Sequence, residues 1–167
     1  MVSRNDLELI IHAFVSSRLD YCNSLFSCLN QKELSRLQLV QNSAARILTR
    51  TNRRSHISPI LKELHWLPVS YRINCKILVL VFRALHGQAP SYISDLIQRY
   101  TPVRALRSVD QNLLTVPRTR YRTRGDRSFQ AVASRLWNDL PPSMRSIDSV
   151  DAFKCRLKTH LFVQAFN

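Results

Sequence analysis

The sequence predicts a mainly α-helical protein, a helical bundle with one small β-ribbon or hairpin around residues 113–124. Three observations carry this expectation. Only two of the 167 residues are glycine. Apolar residues recur at helical spacing along most of the chain. That period lapses once, from Tyr100 to Arg127, where the side chains alternate instead. With 45% hydrophobic residues the chain is no disordered basic tail, and at this length it can bury about two-thirds of its unfolded surface.

Taken in order, the first helix runs from about Asp6, its expected N-cap, with Leu7, Ile10, Ile11, Phe14 and Val15 on one face. A second begins after Asn30, where Glu33 completes a capping box, and carries Leu34, Leu37, Val40, Ala44, Ile47 and Leu48 to an end near Arg50. "TRTNRRSH", residues 49–56, offers nothing apolar to bury and reads as a linker. Ser58 and Pro59 open a short helix, which "HWLP" at 65–68 stops. Pro68 opens the next helix, apolar almost all round between Ile77 and Phe82 and closed by Gly87. A short helix from Ser91 to about Gln98 follows. In the alternating stretch Pro117 cannot donate to a ladder, so the ribbon is an edge. Helix returns at Phe129, Val132, Leu136 and Trp137 until "DLPP", and a last helix capped near Ser149 aligns Val150, Phe153, Leu157 and Leu161. The resulting domains are residues 1–50, a basic linker 51–57, and a helical domain 58–167 containing the ribbon.

Charge is the strongest clue to partners. The chain has 25 Lys and Arg against 11 Asp and Glu, a formal +14 with a pI near 10.7, which favours polyanions such as RNA or DNA. An anionic membrane surface competes as a partner. Residues 46–83 hold eight basic side chains against one acidic, and residues 99–135 hold nine against two, while the rest nearly cancels. Within the second segment Arg118, Arg120, Arg122 and Arg124 alternate with Thr119, Tyr121 and Thr123. On a strand these arginines form a one-sided row spaced about 6.6 Å apart. Guanidinium forks suit phosphate oxygens. The plain alternative is a solvated edge whose charge blocks aggregation.

Several chemistries are excluded or unsupported. The longest apolar run, Ile77–Phe82, is far short of the roughly 20 residues of a membrane span, and the first residues do not read as a secretory signal. The expected setting is intracellular, nuclear or cytoplasmic. Glycine only at 87 and 125 rules out a P-loop, a dinucleotide-binding turn and a nucleophile elbow. The acids are scattered rather than clustered for divalent metals. Cys22, Cys28, Cys75 and Cys155 lack zinc or disulfide spacing and read as reduced, mostly buried thiols. His65 and His86 have no acid or cysteine at ligand spacing and read as packing or helix-end groups, and Trp66 and Trp137 as core anchors. The sequence thus offers no catalytic residue, no metal ligand, no cofactor and no small-molecule substrate.

Eight ordered blocks then carry a resemblance: "SRLDYCNSL" (17–25), "LQLVQNSAAR" (37–46), "LHWLPVSYRI" (64–73), "KILVLVFRALHGQAPSY" (76–92), "VPRTR" (116–120), "GDRSF" (125–129), "LWNDLP" (136–141) and "FKCRLKTHLF" (153–162). Over nearly the whole chain they resemble the C-terminal region of reverse transcriptases of LINE-type non-LTR retrotransposons, the part that follows the catalytic palm. The resemblance implies that residues 1–50 are thumb-like helices and that residues 56–167 are a C-terminal domain holding template RNA or target DNA. It implies no catalysis here, because the Y-x-D-D-type aspartates of the RNA-directed DNA polymerase are absent. Asp20-Tyr21 is followed by Cys22. The natural packing partner would be the palm and fingers of the parent polymerase. The expected nucleic-acid contacts are Arg118, Arg120, Tyr121, Arg122, Arg124, Arg127, Arg53, Arg54 and Lys76, with pairing to Asp126 or helix capping the alternative for Arg127. Two competing readings stand beside this one: a retrotransposon relic without selected activity, and a helical protein-interaction or membrane-surface module.

Overall fold

Nine α-helices account for most of the residues that the computed structural model describes, namely 3–102, 111–121 and 125–167. The protein is mainly α-helical, and the reasons are local. α1 (Arg4–Ile11) starts at Ser3 rather than at Asp6. Ser3 Oγ accepts the Asp6 amide at 3.2 Å while the Asp6 carboxylate reaches back to Ser3, so the expected N-cap is instead the third member of a capping box. The helix widens into a π-helical turn at His12–Ser16 and resumes as α2 (Ser17–Asp20). The extra residue in that turn shifts the helical phase. Ile11 and Val15 consequently face the core, while Phe14 is 73% exposed and leaves the stripe that simple periodicity assigns it.

α3 (Gln31–Thr49) begins at the expected Asn30, whose Oδ1 accepts the Glu33 amide at 2.9 Å. The Glu33 carboxylate pairs with Arg36 at 3.5 Å instead of completing the expected capping box, and the helix ends at Arg50 in the left-handed conformation. α4 (Ile57–Glu63) has His56 at its N-cap, two residues ahead of the expected Ser58. Pro68 precedes α5 (Val69–Leu85), and Gly87 closes it at φ +67° with Gln88 N donating to Arg83 O at 2.8 Å. α6 (Ser91–Ser94) is a single turn, shorter than expected. α7 (Phe129–Asn138) is capped by Ser128, α8 (Pro142–Arg145) is one turn, and α9 (Val150–Phe166) starts with Phe153 N bonded to Ser149 O at 2.9 Å.

The β-ribbon expected around 113–124 does not form among the described residues. Leu114 makes one isolated antiparallel bridge with Arg99, and residues 115–119 are irregular. Pairing cannot spread for two reasons. Pro117 has no amide to donate. The outward N–H and C=O of Leu114 are both taken by the side chain of Asn138, at 2.8 and 2.9 Å. Arg122 and Arg124 lie outside the described residues.

The chain forms two compact units, Met1–Ile73 with Leu161–Asn167, and Asn74–His160. In the first, Ile11, Ala44, Ala45, Leu48, Ile60, Leu61 and Trp66 form the core, each large side chain worth about 1.5–3 kcal/mol on burial. In the same unit Gln41, 1% exposed, donates to Leu67 O at 2.8 Å and accepts from Gln38 at 2.9 Å. Arg72 grips the Asp20 carboxylate with two nitrogens, Nη2 and, at 2.8 Å, Nε. In the second unit Phe82 stacks on Phe153 at 4.4 Å between centroids and Phe153 lies 5.8 Å from Trp137. Against expectation the cysteines are not mostly buried, since Cys22, Cys28 and Cys155 are exposed. Among the described residues no helix is long and apolar enough to cross a membrane.

Candidate nucleic-acid interface

The arginine-bearing segment of the second unit is a loop clipped at both ends. Its amino end lies between two partners. On one side Tyr100 N donates to Leu113 O and Thr115 N to Gln98 O, both at 2.9 Å. On the other, α7 supplies the Asn138 amide to Leu114 and the Trp137 Nε1–H to Asn112 O at 2.7 Å. An amide side chain presents one donor and one acceptor in the geometry of a backbone edge, so Asn138 replaces a strand. Behind it Arg145, 5% exposed, donates to Asn138 O at 2.7 Å and thereby caps the carboxyl end of α7. Burial holds this guanidinium below its ordinary pKa.

The carboxyl end is clipped through Asp126. Its carboxylate accepts the Thr119 hydroxyl and pairs with Arg135 of α7 at 2.8 Å. Gly125 N donates to Tyr121 O at 2.8 Å. A Cβ on Gly125 would stand 2.6 Å from Thr119 Cβ, so only glycine permits this approach. Between the clips Arg118, Arg120 and Tyr121 project as exposed residues. Among the described residues neither arginine has a carboxylate partner. The Arg120 guanidinium lies 5.6 Å from the Tyr121 ring centroid, within reach of a cation–π contact.

Other expected contacts sit elsewhere. Arg127 is exposed in the 3-10 turn Gly125–Arg127, and Asp126 beside it pairs with Arg135. Lys76 is exposed on α5 in the same unit. Arg53 and Arg54 are exposed in the first unit, on the α3–α4 connection. There Asn52 Oδ1 accepts the Arg54 amide at 3.1 Å and Arg46 Nη2 holds Ser55 O at 3.2 Å. Residues 74–160 carry fifteen basic side chains against six acidic, and the first unit ten against five, so the excess is greater around the clipped loop.

Sequence reasoning missed the supports rather than the display. Thr119, Arg135, Asn138 and Arg145 position the loop, and their long-range pairings leave no periodic trace; the one available signal is glycine before Asp126 in a glycine-poor chain. His86 Nδ1–H donates to Phe82 O, 2.8 Å away, and its ring stacks on the Phe82 ring, as a helix-end residue does. A groove of about 490 Å³ between α3, α4 and the start of α5 is lined by Gln31, Gln38, Asn42, Leu61, Val69 and Ser70 among others, none of them titratable near neutral pH. Among the described residues no group of three or more His, Cys, Asp and Glu could hold a metal ion. Comparison with protein-family models, with curated proteins and with solved structures finds no match for the chain.

Proposed function

We propose that this protein is a non-catalytic nucleic-acid-binding module that holds RNA or DNA through its phosphates, a reading that agrees with its resemblance to the C-terminal region of LINE-type reverse transcriptases. One observation carries it: Arg118, Arg120 and Tyr121 are exposed together on a loop clipped at both ends, without a carboxylate partner among the described residues. A backbone held in this way presents its guanidinium groups to phosphate oxygens with less main-chain ordering still required. The Tyr121 ring, 63% exposed, offers a face on which a base can stack. Edge protection alone would not require that the loop be fixed.

Binding to RNA, single-stranded DNA and duplex DNA across salt concentrations tests the proposal. With Arg118, Arg120, Arg122 and Arg124 each meeting one duplex phosphate, log affinity falls against log salt with a slope contribution of about −3.6. If alanine at all four positions leaves affinity and slope unchanged, the reading is wrong.

A helical protein-interaction module is the second reading, and a specific feature favours it. Leu9 and Phe14 near the start of the chain, and Leu39, Val40 and Ile47 on α3, are all at least half exposed. It predicts partner binding that persists at high salt, and a tendency of the isolated chain to self-associate.

A further inference from the structure

The first unit holds a second cationic feature where the α3–α4 connection begins, at Arg50. A cavity of about 290 Å³ between the start of α1 and the end of α3 is lined by Arg4, Leu7, Leu48, Thr49 and Arg50. Two guanidinium-bearing residues flank it, and among the described residues no carboxylate lines it. The acids one turn away are turned elsewhere: Asp6 takes the Ser3 hydroxyl at 2.7 Å, and Glu8 lies 3.7 Å from His12. Among the described residues neither Arg4 nor Arg50 makes an ion pair.

The walls are fixed. Thr49 Oγ1 donates to Ala45 O at 2.9 Å and shares a hydrogen with Thr51 Oγ1 at 2.7 Å, while Leu48 is 3% exposed and packed in the core. Arg50 sits at φ 52°, ψ 33°, the left-handed position after a helix where glycine is the favoured residue. An arginine there carries a backbone cost, and it lines the cavity. Two like-charged residues that line one small space can both reach an anion held there, which would offset their mutual repulsion.

We propose that this cavity is a phosphate site that takes one phosphodiester of a nucleic-acid strand, its sugar resting on Leu7 and Leu48. The size suits this, since the cavity lies at the small end of ligand sites and holds a phosphate with its sugar rather than a whole dinucleotide. A strand is favoured over a free anion because Arg53 and Arg54 stand exposed three and four residues beyond Arg50, on the same unit. The proposal rests on the nucleic-acid-binding reading and extends it to the first unit.

The test uses the full chain with two variants, Arg4→Gln and Arg50→Gly. Arg50→Gly separates binding from folding, because glycine at this φ keeps or raises thermal stability. Expected for each variant is about a tenfold loss of affinity for single-stranded RNA and a salt slope shallower by about 0.7 for each phosphate no longer neutralised. Arginine side-chain Nε–H resonances, followed by NMR, should shift on titration with the RNA and hardly at all with inorganic phosphate or a mononucleotide. Variants that keep the wild-type affinity and slope overturn the site, while the wild-type chain's own binding leaves the function proposed above standing. Saturable shifts at Arg4 and Arg50 with inorganic phosphate that match those with RNA overturn the strand assignment in favour of a free-anion site. A wild-type chain that binds no nucleic acid overturns both.

Discussion

Asn138 is the residue on which the arginine loop depends most directly. It satisfies both outward backbone groups of Leu114, and its own carbonyl is held by Arg145. Asn138→Ala leaves a buried amide and carbonyl without partners, a loss of about 1–3 kcal/mol. Urea denaturation measures that loss, and hydrogen exchange should show Leu114 and Thr115 opening. Asn138→Asp is the sharper control, since it keeps an acceptor for Leu114 N–H but removes the donor to Leu114 O. Gly125 and Gly87 predict opposite kinds of damage. Gly125→Ala forces a Cβ against Thr119 at 2.6 Å and costs about 1–3 kcal/mol by overpacking. Gly87→Ala meets open space at φ +67° and costs only the backbone strain, about 1 kcal/mol. Equal losses for the two would contradict a steric role for Gly125.

At the scale of elements, capping was the most readable feature. Asn30 and Glu33 mark the start of α3, and Gly87 the end of α5, because these motifs are local and need no tertiary partner. Asn30→Ala should lower stability by about 1 kcal/mol, readable as a shift in the urea midpoint at unchanged slope. The first helix shows the limit of such reading. Strict periodicity puts Ile10 and Phe14 in the core, whereas the π-helical turn at His12–Ser16 shifts the phase and leaves both exposed. Among the described residues the ribbon expected around 113–124 does not form, for a related reason. Alternation of side chains signals a strand only where a partner edge is available, and here a side chain from α7 occupies that edge. Trp137 joins the two ends of this arrangement, packing near Phe153 and donating to Asn112 O. Trp137→Ala should cost about 3–5 kcal/mol, the largest loss of any single substitution considered.

For the whole molecule the governing quantity is charge, +14 on 167 residues. Self-repulsion on this scale favours a bound polyanion, so added RNA should raise the melting temperature at low salt and lose that effect as salt screens it. Two separate sets of arginines give a finer expectation on duplex DNA. Alanine at 118, 120, 122 and 124 should flatten the salt slope by about 3.6, and alanine at 53 and 54 by about 1.8, if each arginine meets one phosphate. Titrations at four or more salt concentrations separate these values. A loss confined to the first set would assign binding to the second unit alone.

The sequence by itself determined the helical class, most helix ends, Trp66 and Trp137 as buried anchors, and the exposure of Arg118, Arg120, Arg53, Arg54 and Lys76. These follow from periodicity, capping chemistry and the cost of burying charge, all of which act over a few residues. Only the tertiary structure decided that the arginine segment is a clipped loop rather than a ribbon. Only it brought Arg4 beside Arg50, 46 positions apart in the chain. Both outcomes depend on which distant group supplies a hydrogen bond or closes a cavity, and that depends on how helices pack, for which no local pattern in the chain provides a measure.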